Sequence, residues 1–161
     1  MINAFLEWLQ GTAPAVAISE STWLFPSIES MHVLALTLVV GSITMIDLRL
    51  VGAAQRNRSV IELTNEVLPW TWIGFAIAVC TGSLLFSSNA VKYFANVPFR
   101  IKMCLLLLAG VNMMVFHLVT YKSAPVWHLQ ARIPAAGRIA GGLSLALWIG
   151  IVGCGRWIGF V

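Results

Sequence analysis

A chain of 161 residues of which 59% are hydrophobic and 10% charged lies far from the soluble globular balance of roughly half apolar and about a quarter charged. The composition excludes an ordinary soluble domain and predicts an all-α membrane protein, one domain over residues 1–161. The net charge of +4 does not point to nucleic acid, because the basic residues are scattered over loops and helix ends, where they set topology and meet lipid head groups.

In chain order, residues 1–19 are too short to span and are interrupted by Glu7, Gln10, Gly11 and Pro14. Ile2, Phe5, Leu6 and Leu9 recur at helical spacing with Trp8 beside them, which predicts a short amphipathic helix in the membrane interface. No charged leader with an Ala-x-Ala site precedes the first long apolar stretch, so a removable signal peptide is not expected.

Uncharged stretches then follow at 30–46, 67–91, 103–121 and 139–155. Each has about 17 to 25 residues, enough to cross a hydrocarbon core about 30 Å thick as a helix. They predict four transmembrane helices at about 22–50, 66–88, 99–122 and 137–160, packed as an up-down bundle with loops of roughly 15 to 20 residues. Ser-Ser-Asn and Pro98 in 87–98, and two prolines in 123–134, break the helices where the bundle reverses. Trp70 and Trp72 mark one interface and Trp157 the other.

Orientation follows from the cations. Arg49, Arg56, Arg58, Lys122, Arg132 and Arg138 fall on one side; Lys92, Arg100, Lys102 and Arg156 fall on the other, with Glu7, Glu20 and Glu29. The positive-inside rule then puts both termini outside, periplasmic in a Gram-negative host.

The fourth span is glycine-rich, and Gly137 and Gly141 have the GxxxG spacing that lets helices approach closely. That spacing serves packing within the bundle or a homo-oligomer interface. Cys80, Cys104 and Cys154 lie in the spans without CxxC or CxxCH spacing and read as small apolar packing residues.

Two imidazoles inside membrane-length segments, His32 and His117, are the places to look for chemistry, because a polar ring in hydrocarbon is costly unless a partner or a metal rewards it. Glu29 and His32 are three residues apart, and at about 100° per residue Asp47 returns to within about 60° of His32. Lys102, Met113 and His117 share a second stripe, with Asn112 to one side. Both stripes are expected to face the bundle interior. Because the first and third helices run in the same direction, His32 lies near the outer end and His117 near the inner end, roughly 20 Å apart along the axis. One iron cannot take both.

Around His32 the expected neighbours are Glu29, Arg100, Lys102 and Arg156: an imidazole for the iron of a haem b and cations for its propionates. Around His117 they are Met45, Met113, Asp47, Arg49, Trp70 and Trp72, where a second haem would have His and Met available. The plainer alternative for each histidine is a hydrogen bond to a helix carbonyl or to Glu29 or Asp47. His128 reads as a surface residue. A second metal reading takes Met31, His32, Met103, Cys104, Cys80 and Cys154 as soft ligands for copper.

Residues 21–52, 68–86, 99–117 and 148–158, with their ExxH, DLRLxG and FRIK…H patterns, resemble a group of bacterial four-helix membrane proteins of unknown function. A histidine early in the first span, and a lysine opening a span that ends in histidine, also resemble the HemJ-type protoporphyrinogen oxidases. That resemblance implies a bacterial inner membrane protein that binds haem b, with His32 and Lys102 as the functional pair. A related likeness to copper-resistance membrane proteins implies copper. The combined expectation is a b-type haem protein passing electrons to quinone or a redox protein. His32 and His117 are its iron ligands, Glu29 and Lys102 its proton-handling or catalytic groups, and Arg100, Arg156, Met113 and Met45 its cofactor contacts. The alternatives are a HemJ-like oxidase, a copper-binding or transport protein, and a structural subunit of a larger membrane complex.

Overall fold

A computed structural model describes residues 1–54, 58–120 and 133–160, and among them every regular element is helical. Arg56, Lys122, His128 and Arg132, the end of the third expected span and most of the loop at 123–134 lie outside the described residues. Two short helices, α1 (Ile2–Gln10) and α2 (Ala13–Glu20), precede α3 (Leu24–Val51) and α4 (Val60–Ser88). A short α5 (Ala90–Ala95) leads into α6 (Val97–Val115), which continues as a π-helical turn (Phe116–Thr120); α7 (Ala135–Trp157) ends in a 3-10 turn (Ile158–Phe160). Four of these, Leu24–Val51, Val60–Ser88, Val97–Val119 and Ala135–Phe160, are long and apolar enough to cross a bilayer. Large apolar side chains such as Leu34, Leu107 and Ile149 are exposed around the bundle. Water would punish that surface and lipid accepts it. The chain is a multi-pass helical membrane protein.

Local chemistry sets the ends of the spans. Gly52 closes α3 in the left-handed conformation (φ 83°), its N–H and that of Ala53 donating back to the Leu48 carbonyl; only glycine adopts this conformation at no steric cost. Ser59 opens α4 with a reciprocal capping box, its hydroxyl accepting from the Glu62 N–H while the Glu62 carboxylate accepts from the Ser59 N–H. The connection between them, 52–59, is therefore shorter than the loop expected, and α4 starts earlier than 66. Its extra turns expose Glu62 and Asn65 while burying Val60, Leu63 and Thr64. At the other end, α5 fills the expected loop at 87–98, and Asn96 caps α6 by accepting from the Phe99 N–H at 3.0 Å, with Pro98 in the first turn where no N–H is needed.

Helix α3 is central, with α4 on one side and α7 on the other, and α6 packs on α7. The ends can be named by α3: the upper end holds its first turn, the lower end its last. Glycines set the spacing. A Cβ on Gly74 of α4 would stand 3.2 Å from the Ala35 carbonyl oxygen and 3.1 Å from Val39 Cγ2; one on Gly141 of α7 would stand 2.8 Å from Leu50 Cβ and 3.1 Å from the Asp47 carbonyl oxygen; one on Gly150 would stand 3.1 Å from Leu105 Cδ1. Gly141, half of the GxxxG pair, is thus used inside the chain, whereas Gly142 and Gly153 meet nothing within 4 Å.

Two apolar clusters fill the seams, one of Val39, Ala109, Leu147, Trp148 and Ile151, the other, lower, of Leu50, Val60 and Phe116. Helices α4 and α6 share no broad interface among the described residues; Phe86 and Phe99 stack at 5.3 Å at the upper end. The bundle is open to lipid between α4 and α6 below that pair. The span of α6 is the least enclosed, 11% buried against 28% for each of the other three. Helices α1 and α2 dock on the upper end, α1 on α5 and α4 and α2 on α4 and α3. They bury Leu6, Ala15 and Ile18 and leave Ile2, Phe5 and Trp8 exposed.

Replacing Gly141 by Leu is expected to force α3 and α7 apart and to lower stability by about 1–3 kcal/mol or more. Gly142→Ala should be neutral or stabilising by about 0.5–1 kcal/mol, since it removes a helix glycine in open space. Thermal unfolding in detergent compares the two; equal melting temperatures would remove the close approach as a determinant of the bundle.

Candidate functional site

The upper site is built on the α3–α4 seam. The His32 ring lies against Gly82, where a Cβ would come within 3.0 Å of its Cε1, so glycine makes room for the imidazole. Its Nδ1 is 2.9 Å from the hydroxyl oxygen of buried Thr81. That hydroxyl has one proton, which it donates to the Ile77 carbonyl at 2.7 Å, the usual resort of Thr inside an apolar helix. Its oxygen is left to accept, so His32 donates through Nδ1–H. The resulting tautomer has an unprotonated Nε2, the nitrogen an imidazole presents to a metal or a proton donor.

Lys102 of α6 is the charged neighbour of this ring. Its stem runs along α7 where glycine leaves space, Nζ lying 3.6 Å from a Cβ position on Gly155. Its charge reaches both His32 and Cys154. Among the described residues the ion pair is Arg58 with Glu66, and Lys102 takes part in none. A half-buried ammonium without a carboxylate is a ready acceptor for an anionic group.

The other residues expected around His32 turn elsewhere. Glu29 is exposed, and the side chain its carboxylate acts on is Tyr93 of α5; the histidine is oriented by a threonine instead. Arg100 is exposed and lines an open groove of about 410 Å³ with Val97, Ile101, Cys104 and Leu105. Arg156 is exposed too, its guanidinium 5.8 Å from the Phe160 ring centroid. Cys80 and Cys104 are exposed and Cys154 half-buried, all three as free thiols. Among the described residues no three His, Cys, Asp or Glu side chains converge on a point that could hold a metal.

At the lower end, His117 sits in the π-helical turn that ends α6, its Nδ1–H donating to the Met113 carbonyl at 3.0 Å. The Met113 contact is thus through its backbone. Met113 and Met45 side chains are each 40% exposed, as are Trp70 and Trp72 at 59% and 52%. Asp47 is buried, and the Ser144 side chain of α7 is the polar group that acts on its carboxyl. Asn112 donates to the Ala140 carbonyl at 3.1 Å, and Gly141 faces Leu50, so Asn112 is level with the end of α3 and His117 lies beyond it. Helical rise then separates His32 from His117 by roughly 30 Å. Lys102 is the cation whose charge His32 feels, and His117 lies apart at the other end.

Fold and site together define a multi-pass helical membrane protein with an oriented imidazole and an unpaired ammonium at one end of an apolar bundle. The chain belongs to a family of unknown function, DUF6644, whose model matches residues 19–161. No curated protein and no solved structure matches it.

Tyr93, outside the spans, has its phenol held above the usual range, first by burial and second by the Glu29 carboxylate. Its folded-state pKa is raised, so the neutral phenol stabilises the fold fully below the unfolded phenol pKa, and that contribution is lost as pH rises through the folded value. Ultraviolet titration of a Tyr121→Phe background is expected to show Tyr93 ionising later than a free phenol, and earlier again in Glu29→Gln. An unchanged midpoint in Glu29→Gln would contradict the electrostatic influence of that carboxylate.

Proposed function

We propose that this protein is a haem b membrane protein that transfers electrons, with His32 Nε2 as the iron ligand and Lys102 as the partner of a propionate. The observation that supports this reading is the 2.9 Å contact of His32 Nδ1 with a Thr81 hydroxyl whose proton goes to the Ile77 carbonyl, which leaves Nε2 unprotonated on a ring that feels the charge of Lys102. The donor set suits an iron porphyrin, which needs one or two protein ligands and a cation, better than a protein-built copper site of three His or Cys donors, none of which converges among the described residues. When bound, the haem would supply one-electron redox chemistry. The chain's part is to fix the imidazole tautomer through Thr81, to neutralise a carboxylate with Lys102, and to exclude water with the Val39 and Trp148 cluster. The lateral opening between α4 and α6 suits a flat, largely apolar ligand entering from lipid.

His117 is a second ligand candidate at the lower end, with a redox partner such as a quinone or protein. Arg100 and Arg156 serve lipid phosphates or carboxylates at the upper surface. The excess of cations at the lower end argues that it faces the cytoplasm of a bacterial inner membrane, with both termini periplasmic. A second reading, porphyrinogen oxidation of the HemJ type, is supported by the electrostatic influence of Lys102 on His32, the two residues that the resemblance implies as the functional pair.

Protein purified from haem-replete cells is expected to show a Soret band and, on dithionite reduction, a sharp α-band. His32→Ala should lose most of the haem at the upper site, and Lys102→Ala should weaken retention about tenfold, which corresponds to about 1.4 kcal/mol. A colourless wild-type preparation, or full haem content in His32→Ala, would overturn the reading. Turnover of protoporphyrinogen by the purified protein separates the enzyme from the electron carrier.

A further inference from the structure

The lower end of the α3–α4–α7 seam carries two buried polar atoms that no described residue satisfies, Asp47 Oδ2 and Thr64 Oγ1. Their residues are 5% and 3% exposed. The antiparallel register that sets His32 against Thr81 and Ala35 against Gly74 carries on to place Asp47 level with Thr64. From the third side Ser144 reaches the carboxyl. Oxygen donors from three helices therefore meet one depth of the bundle.

The charges near this level are already committed. Arg49 on the same helix donates through Nε to the Arg58 carbonyl at 2.7 Å. Arg58, just before α4, pairs with Glu66 of that helix, and Glu62 belongs to the capping box. Arg138 of α7 is exposed; from α6 come the neutral Asn112, bonded to the Ala140 carbonyl, and His117, bonded to the Met113 carbonyl. Among the described residues no cation neutralises Asp47, and a buried carboxylate without one has a strong drive to take a proton.

We propose that Asp47 is a proton-exchange site of the lower half of the bundle. A solvent water held between Asp47 Oδ2 and the Thr64 hydroxyl delivers a proton from the lower aqueous side: hydronium gives its proton to the carboxylate, leaving a neutral acid and water, and release is the reverse. The path ends there. Above it the hydroxyls of Thr71 and Ser42 are bonded to carbonyls of their own helices, and the contact of Gly74 with Ala35 closes the seam below His32. This site is independent of any haem.

Infrared spectroscopy of the full chain in lipid bilayers tests it. A D₂O-sensitive carbonyl stretch of a protonated carboxylic acid is expected at low pH and lost at high pH. It should be absent in Asp47→Asn and kept in Glu29→Gln and Glu66→Gln, and its pH midpoint should shift in Thr64→Val. Circular dichroism melting establishes that each variant is folded; if Asp47→Asn is not, Asp47→Glu should retain the titration at a displaced frequency. The proposal is overturned by an Asp47 band that persists across the pH range, by none at any pH, or by a midpoint that follows sodium concentration, which would make the site a cation site.

Discussion

Close approach of helix backbones is the constraint on which this bundle depends. Lipid is as apolar as leucine, so no hydrophobic drive presses membrane helices together, and association rests on dispersion and interhelical hydrogen bonds that act only at short range. Gly74 and Gly141 supply that range. They bring α4 and α7 so near α3 that an added Cβ would stand only 3.2 and 3.1 Å from its carbonyl oxygens. Everything at the two polar levels follows. Thr81 is near enough to orient His32 only because the seam is this narrow, and Ser144 meets Asp47 for the same reason on the other side of α3.

The bilayer also demands that buried polar groups be satisfied within the protein. Most of the buried hydroxyls obey by the shortest route: Thr71, Ser87 and Ser88 donate to carbonyls three or four residues back. Departures from that habit mark the polar levels. Thr81 does both, donating along its helix and accepting across the seam, while Asp47 and Thr64 leave atoms unmatched. Lys102 belongs with them, since it brings an ammonium inward with no carboxylate among the described residues. The two levels lie at opposite ends of α3, separated by the dry contacts of Ala35, Val39 and Gly74, so electron and proton chemistry in this chain would be housed apart.

Much of the architecture was legible in the sequence because a membrane span needs little more than length and the absence of charge. The four helices emerge from those alone, and α1 from its apolar spacing. Ends were harder: the capping box at Ser59 lies in a polar stretch and extends α4 beyond its apolar part, and α5 is too short to leave a periodic pattern. At the upper level, His32 was singled out by the cost of a polar ring in hydrocarbon, and Lys102 by its level near that ring and by resemblance. Glu29, Arg100 and Arg156 were assigned inward because they share a level or a stripe with His32, yet near a helix end a side chain can reach water or head groups and is not driven inside. Thr81 and Gly82 were missed, since a threonine and a glycine in an apolar helix look like packing. Their signal is relational, visible once the register sets them opposite His32.

The central claim is that Thr81 fixes His32 in the tautomer whose Nε2 is unprotonated. Solid-state NMR of the protein labelled with ¹⁵N-histidine in lipid bilayers reads this directly, with His32→Gln to assign the resonance. The account predicts His32 Nδ1 bearing the proton and Nε2 either a bare acceptor or bonded to metal. A proton on Nε2, with Nδ1 as the acceptor from Thr81, would contradict it.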